Sequence, residues 1–222
     1  MLDALKRLLS RRQGEPYWTM IGTWAQATGY SFKRAREGGF VIEGQAAAGP
    51  WRLELGPPSR EYIDGPELRM IADVPALPAD LQMLVLSRTL ALSFERETFA
   101  RFTDSLQTYA DDSAPEEMRW VAMLPKVDVA ALGPLRSRFA AVATKPVCVE
   151  AWIGGEFGRH LLHATTSLAA GDPPLLLLTN RGRLTLRCEL TALDGGVLGG
   201  WIGLFEAALQ RLPLAIEAAR PR

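Results

Sequence analysis

The residues best suited to chemistry in this chain are its two histidines, which lie three positions apart and close to a glutamate. Glu156, His160 and His163 fall on a predicted helix, where a turn of about 100° per residue places them within about 60° of one another. Imidazole and carboxylate groups are good zinc ligands, and catalytic zinc sites commonly use three protein ligands plus water. The spacing permits a divalent metal site, such as zinc, in a hydrolase-like enzyme.

The same three residues also fit the solvent-exposed flank of an ordinary amphipathic helix. The apolar residues of this helix, which are Phe157, Leu161, Ala164 and Leu168, point about 100° away from the histidines. The spacing matches neither the HExxH motif of zinc proteases nor ligand pairs on facing helices. We therefore expect no cofactor, and the metal site is the alternative.

The remaining reactive motifs are incomplete. Gly154 and Gly155 join two predicted elements without matching a phosphate-binding fingerprint, so we expect a tight turn there. The sequence contains no GxSxG nucleophile motif. The only cysteines, Cys148 and Cys188, lie in apolar segments that predict interior strands, and we expect two buried thiols rather than a disulfide.

The polar segment at residues 56–66, which connects two predicted strands, contains residue types that are common at protein-binding surfaces. It holds Arg60, Glu61, Tyr62 and Asp64 in a segment stiffened by prolines. Tyrosine and arginine dominate the energetic hot spots of protein interfaces. We predict that these four residues form a binding surface for a partner protein. The alternative is an ordinary connection between strands, in which Arg60 pairs locally.

Residues 1–12 predict a short amphipathic helix. Its leucines lie on one side, and Lys6, Arg7, Arg11 and Arg12 lie elsewhere on its surface. This composition suits docking to an anionic membrane surface or to a partner protein. A peripheral membrane accessory role through this helix is therefore a further alternative.

The composition is that of a globular chain without electrostatic bias. Of its 222 residues, 48% are hydrophobic, and 25 basic residues balance 25 acidic ones. Nucleic-acid binding rests mainly on Lys and Arg neutralising phosphates, so we expect no nucleic-acid partner. The N-terminus lacks the pattern of a signal peptide, and no apolar run reaches the roughly 18 residues that span a membrane. We expect a cytoplasmic protein.

The first half of the sequence predicts an antiparallel sheet flanked by helices. Trp51, Leu53 and Leu55 alternate with charged residues, as they would in a strand with one buried face. Strands are expected at residues 30–36, 40–46, 51–55 and 67–74, and helices at residues 18–29 and 88–102. The apolar residues 81–86 fit either a strand or the first turn of a helix.

The second half predicts alternating strands and helices. Strands are expected at residues 118–124, 147–152, 175–179 and 183–190, and helices at residues 128–142, 155–169 and 197–219. The last two strands pair as a hairpin across Asn180, Arg181 and Gly182. Pro213 is expected to kink or interrupt the last helix.

These elements predict an α+β fold of two similar-sized lobes, each a mostly antiparallel or mixed sheet covered by helices. The lobes span residues 1–104 and 117–222, and residues 105–116 form a polar linker. Because no catalytic constellation is complete, the favoured function is a non-catalytic protein-binding or regulatory module. A metal-dependent enzyme and a peripheral membrane accessory protein are the alternatives.

Overall fold

The computed structural model describes residues 15–35, 38–104, 114–128, 133–169 and 171–220. They form an α+β fold, as predicted. The helices are α1 (Glu15–Ala27), α2 (Arg88–Asp104), α3 (Glu116–Met123), α4 (Pro146–Ile153), α5 (Gly155–Ser167) and α6 (Gly195–Ala218), with one 3₁₀-helix at Gly133–Ser137. The strands are β1 (Ser31–Arg34), β2 (Phe40–Ala46), β3 (Gly49–Gly56), β4 (Glu67–Asp73), β5 (Met83–Ser87), β6 (Phe139–Ala143), β7 (Leu175–Asn180) and β8 (Arg183–Glu189).

The eight strands form one sheet in the order β1-β2-β3-β4-β8-β7-β5-β6, and every neighbouring pair is antiparallel. Strand β5 comes from the first half of the chain, yet it lies between β6 and β7 of the second half. The predicted two-lobe arrangement is therefore not confirmed, because strands from both halves share one sheet. Of the predicted linker, residues 105–113 lie outside the described residues, and Glu116 begins α3.

Helices cover the two faces of this sheet unequally. On one face α1, α4, α5 and α6 pack against side chains from strands across the sheet, and large residues such as Trp152, Trp201 and Phe205 are completely buried. On the other face α2 and α3 pack against β5, β6 and β7, and this smaller core includes Phe94 and Trp120. Strand β5 is buried on both faces, which explains why its sequence is apolar from Met83 to Leu86.

Most strand predictions are confirmed. The four strands expected in the first half are β1 to β4, and the ambiguous residues 81–86 contain most of β5. Strands β7 and β8 pair as the expected hairpin, with Arg181 (φ 49°) and Gly182 (φ 73°) in the left-handed conformation that a tight two-residue turn requires. Leu184, Leu186 and Cys188 are buried on the inward side.

Three predictions in the second half are wrong. The strand expected at residues 118–124 is helix α3, the strand at 147–152 is helix α4, and residues 139–142 of the expected helix belong to strand β6. In α3 the adjacent residues Trp120 and Val121 are both buried, whereas Ala122 is exposed. The apolar residues at alternate positions of this segment therefore do not mark the buried face of a strand. Pro146 at the first position of α4 is a helix-starting signal that outweighs the apolar character of the segment.

Two further details differ from expectation. Cys148 lies in helix α4 rather than in a strand, although both cysteines are buried and free, as expected. Helix α6 continues through Pro213 to Ala218 without interruption. Asp194 caps its N-terminus, because its Oδ1 accepts a hydrogen bond from the backbone N–H of Val197 at 2.9 Å.

Candidate functional site

The loop at residues 57–66, which joins β3 to β4, is held to helix α3 by one buried carboxylate. Glu117 is only 2% exposed, and its Oε1 accepts hydrogen bonds from Arg60 Nε at 2.7 Å and from Tyr62 OH at 2.5 Å. The Tyr62 ring also packs edge-to-face on Phe94, with ring centroids 5.0 Å apart. Two of the four predicted binding residues therefore meet in one hydrogen-bonded cluster.

The cluster holds Glu117 ionised and Tyr62 protonated. Burial by itself would raise the pKa of Glu117, but the hydrogen bonds from Tyr62 and Arg60 outweigh it, and the pKa lies below its ordinary value. Burial, together with the nearby negative charge of Glu117, raises the pKa of the Tyr62 phenol. The donors and the acceptor thus keep these roles throughout the neutral pH range.

A second buried carboxylate fixes the start of the same loop. Glu67 is 4% exposed, and its Oε2 accepts hydrogen bonds from the Ser59 backbone N–H at 2.6 Å and from the Ser59 hydroxyl at 2.8 Å. Arg187 of β8 forms an ion pair with Glu67 and donates to the Ser59 hydroxyl at 2.8 Å. Later in the loop, the backbone N–H of Asp64 donates to Glu189 Oε2 at 3.1 Å. The loop is therefore anchored along most of its length.

The four predicted binding residues take different places in this loop. Arg60 and Tyr62 hold the loop to α3, whereas Glu61 and Asp64 are exposed. Arg60 pairs with Glu117, 57 positions away, and also donates locally from Nη1 to the Ser59 carbonyl at 3.4 Å. That these residues contact a partner stays a prediction.

Sequence patterns missed the acceptor of this cluster. The acidic pair Glu116 and Glu117 closes a polar stretch of the sequence, which predicts solvated charges there, and for Glu117 this prediction is wrong, because its side chain is buried. Glu116 accepts a hydrogen bond from Asn180 Nδ2 at 2.9 Å. The available signal was the pair of acidic residues in the first turn of a helix that follows Pro115.

Beside the loop lies a polar sheet surface, which we call the open face. It is the side of β1 to β4 that points away from the large core, and it carries Lys33, Val41, Glu43, Arg52, Glu54, Arg69 and Ile71. The loop and this surface enclose a concave space of about 440 Å³, which is lined by Val41, Glu54, Ser59 and Arg69 among others. The described residues place no helix over this part of the sheet.

The charges of the open face form a continuous ladder across the strands. Glu43 pairs with Lys33 (3.4 Å) and with Arg52 (3.0 Å). Glu54 pairs with Arg52 (2.6 Å) and also with Arg69. The nearby Lys33 charge lowers the pKa of Glu43. Burial by itself would raise the pKa of Glu54, but hydrogen bonds from Arg69 and Arg52 outweigh it and lower that pKa.

The predicted metal ligands lie on helix α5, remote from the cluster in the sequence. Glu156 forms an ion pair with Arg159, His163 is exposed, and His160 packs near Gly203 of α6. The described residues include no group of three or more His, Cys, Asp or Glu side chains placed to hold a metal ion. No described contact of Glu156, His160 or His163 supports a metal site, which stays a prediction.

The turn between α4 and α5 is closed by an arginine that sequence patterns did not single out. Gly155 has φ 62°, as the expected tight turn requires. Arg211 of α6 donates from Nη2 to the Ala151 carbonyl at 2.7 Å, and a Cβ on Gly154 would lie 2.6 Å from that nitrogen. The glycines therefore accommodate the Arg211 guanidinium, which caps the end of α4.

Two further expectations concern thiols and membranes. Burial raises the pKa of both Cys148 and Cys188, which disfavours the nucleophilic thiolate form of each. Residues 1–12, for which a helix is predicted, lie outside the described residues, and their docking to a membrane or a partner stays a prediction. In the described ranges no helix combines the length and the apolar character needed to cross a bilayer.

Comparison with known proteins places this site in no family. No family model matches the chain, and no curated protein matches it. The crystal structure of the mycobacterial trehalose monomycolate transport factor A, TtfA, is similar over 94% of this chain and 99% of that one, with a TM-score of 0.45 and 8% sequence identity. A likeness at this level supports no conclusion about this chain.

Proposed function

We propose that this chain is a non-catalytic protein-binding module, and that the open face with its anchored loop is the binding surface. The observation that carries this proposal is the unequal covering of the sheet. Within the described residues, helices pack along one whole face but only on β5 to β7 of the other. The uncovered part of that face borders a concave space of about 440 Å³, next to the loop at residues 57–66.

The anchoring of the loop supports recognition rather than a merely passive connection. Binding costs less when the contacting segments are already ordered, because less conformational entropy is lost on association. Glu117 and Glu67 fix the loop through five hydrogen bonds or ion pairs from Arg60, Tyr62, Ser59 and Arg187. The exposed side chains of the loop are therefore presented in a fixed position next to the open face.

The charge pattern favours a protein partner over a nucleic acid. Glu43 and Glu54 lie among the basic residues of the open face, where they would repel a phosphate backbone. Val41 and Ile71 add half-buried apolar surface between these charges. Mixed polar and apolar surface of this kind is typical of non-obligate protein interfaces.

Site-specific photo-crosslinking tests the proposal. p-Benzoylphenylalanine is placed at Val41 or Ile71 on the open face, and at Leu162 as the control, since Leu162 is 42% exposed on α5 beyond the other face of the sheet. We expect the two open-face positions to give the same discrete protein adduct in cells and Leu162 to give none. The adduct is then identified by mass spectrometry, and the partner is purified.

The purified partner provides the quantitative test. Val41→Trp, which adds a bulky ring to the lining of the concave space, is expected to weaken binding at least about tenfold, whereas Leu162→Trp leaves the affinity unchanged. Calorimetry measures both dissociation constants, and circular dichroism checks that both variants are folded. An absent adduct, an equal yield from Leu162, or unchanged affinity of the folded Val41→Trp variant would each refute the proposed surface.

A further inference from the structure

The open face carries more positive than negative charge along its ladder. Lys33, Arg52 and Arg69 share two carboxylates, Glu43 and Glu54, so each carboxylate is divided between two cations. A carboxylate supplies enough acceptor positions for such sharing, but one positive charge is left without a counterpart. The ladder is therefore complementary to one additional negative charge.

Arg69 lies at the end of the ladder, on the strand that pairs with β8. It stands directly opposite Arg187 on the neighbouring strand, an arrangement in which like charges destabilise a sheet. Arg187 is neutralised by Glu67 and bonded to Ser59. Arg69 pairs with Glu54, and its Nε is buried without a hydrogen-bond partner among the described residues. Among the described residues, Arg69 thus has a share of one carboxylate as its counter-charge.

The two arginines beside Glu54 are accessible from the cavity. Both Arg52 and Arg69 line the 440 Å³ space, and their side chains are 47% and 33% exposed. A guanidinium presents parallel N–H donors whose spacing matches the two oxygens of a carboxylate. Partial burial strengthens such a pair relative to one in open water.

We infer that the partner docks an acidic segment on the open face, with one carboxylate bound by Arg52 and Arg69 from the cavity side, next to Glu54. The inference rests on the proposed function and specifies the chemistry of the partner. A single carboxylate is favoured over a phosphate, because Glu54 lies between the two arginines and repels a doubly charged group more strongly than a singly charged one. Glu54 therefore selects against dianions.

Short peptides test this inference without knowledge of the natural partner. The probe is a fluorescein-labelled peptide of alternating glutamate and valine, compared by fluorescence anisotropy with the corresponding lysine–valine peptide, inorganic phosphate as a competitor, and a single-stranded DNA oligonucleotide. We expect the acidic peptide to bind at least about tenfold more tightly than the basic one. Neither phosphate nor DNA should compete at equal charge concentration.

Three variants locate the site. Arg52→Gln combined with Arg69→Gln should weaken binding of the acidic peptide at least about tenfold. Arg183→Gln is the matched control, because Arg183 is an exposed arginine of β8 paired with Asp73 outside the cavity, and it should leave the affinity unchanged. Glu54→Gln removes the competing carboxylate and should tighten binding several-fold, which a merely structural role of Glu54 would not do.

The outcomes separate this inference from the proposed function. Absent or charge-independent peptide binding, an equal effect of Arg183→Gln, or weaker binding to the Glu54→Gln variant would overturn the inference. Competition by phosphate or DNA with the same arginine dependence would show a phosphate site instead and would also overturn it. Crosslinking from Val41 and Ile71 would still support a protein-binding surface in each of these cases, whereas failure of crosslinking would remove the surface itself.

Discussion

Glu117 provides the sharpest test of the anchored loop, through its replacement by glutamine. The amide keeps the size of the carboxylate and can still accept hydrogen bonds, but it loses the negative charge. Hydrogen bonds to an ionised group contribute about 1.5–3 kcal/mol each, whereas neutral ones contribute about 1 kcal/mol. Two such bonds, from Arg60 and Tyr62, converge on Oε1 of Glu117. Their weakening is partly offset because a neutral amide is less costly to bury.

We therefore expect Glu117→Gln to lower the free energy of unfolding by about 2 kcal/mol at neutral pH. For a chain of this length, that loss lowers the melting temperature by about 4–8 °C. Urea denaturation followed by circular dichroism gives the free energy, and calorimetry gives the melting temperature. Glu116→Gln is the matched control, because Glu116 lies in the same first helical turn and accepts from the uncharged Asn180 amide. Its effect should stay below about 0.5 kcal/mol.

The pH dependence of the free energy of unfolding, compared between wild type and Glu117→Gln, tests the direction of the pKa shift of Glu117. The pKa of Glu117 is lower in the folded protein than its ordinary value of 4.5, so the unfolded chain takes up the proton more readily. The stabilisation is complete above the ordinary value and is lost as the pH falls through the lowered value. The difference between wild type and Glu117→Gln should shrink in acid. Equal stability of the two proteins at neutral pH, or a difference that persists unchanged in acid, would refute the assignment.

Two further predictions concern packing and ionisation. Gly44→Ala should lower the free energy of unfolding by about 1–3 kcal/mol, because the new Cβ would lie 2.3 Å from the Trp51 ring, and the Trp51 Nε1 donates a hydrogen bond to Glu206. Gly56→Ala is the control: a Cβ there would meet no atom within 4 Å, so this variant should be neutral or slightly stabilising. Urea denaturation measures both. Burial and the charge of Glu117 raise the pKa of Tyr62, so Tyr62→Phe should leave the tyrosine ionisation measured by absorbance below about pH 11 unchanged. If the variant instead shows one tyrosine fewer ionising near the ordinary pKa of 10.0, the prediction is wrong.

The local elements were predictable wherever one face of a segment is buried and the other is not. The hairpin of β7 and β8 follows from leucines at alternate positions around a turn with glycine. Segments buried on several sides gave no such contrast. Strand β5 and helix α4 are both nearly continuously apolar, and periodicity alone does not distinguish a strand from a helix in so short a run.

The candidate site was only partly predictable. The loop at residues 57–66 stood out by its composition, but the role of Arg60 depends on Glu117, which is 57 positions away and looked solvated. Burial of a carboxylate is decided by what packs over it, and no local pattern encodes that. Likewise, the ladder from Lys33 to Arg69 exists only because the register aligns four strands.

By itself, the sequence determined the class of fold, the antiparallel strands of the first half, the buried thiols and the polar loop. Each of these depends on neighbours within a few residues, so composition and periodicity suffice. Tertiary structure decided that β5 inserts between β6 and β7, that Glu117 anchors the loop, and that one half of a sheet face stays uncovered by the described helices. These features follow from strand order and long-range packing, which bring together groups that the chain keeps far apart.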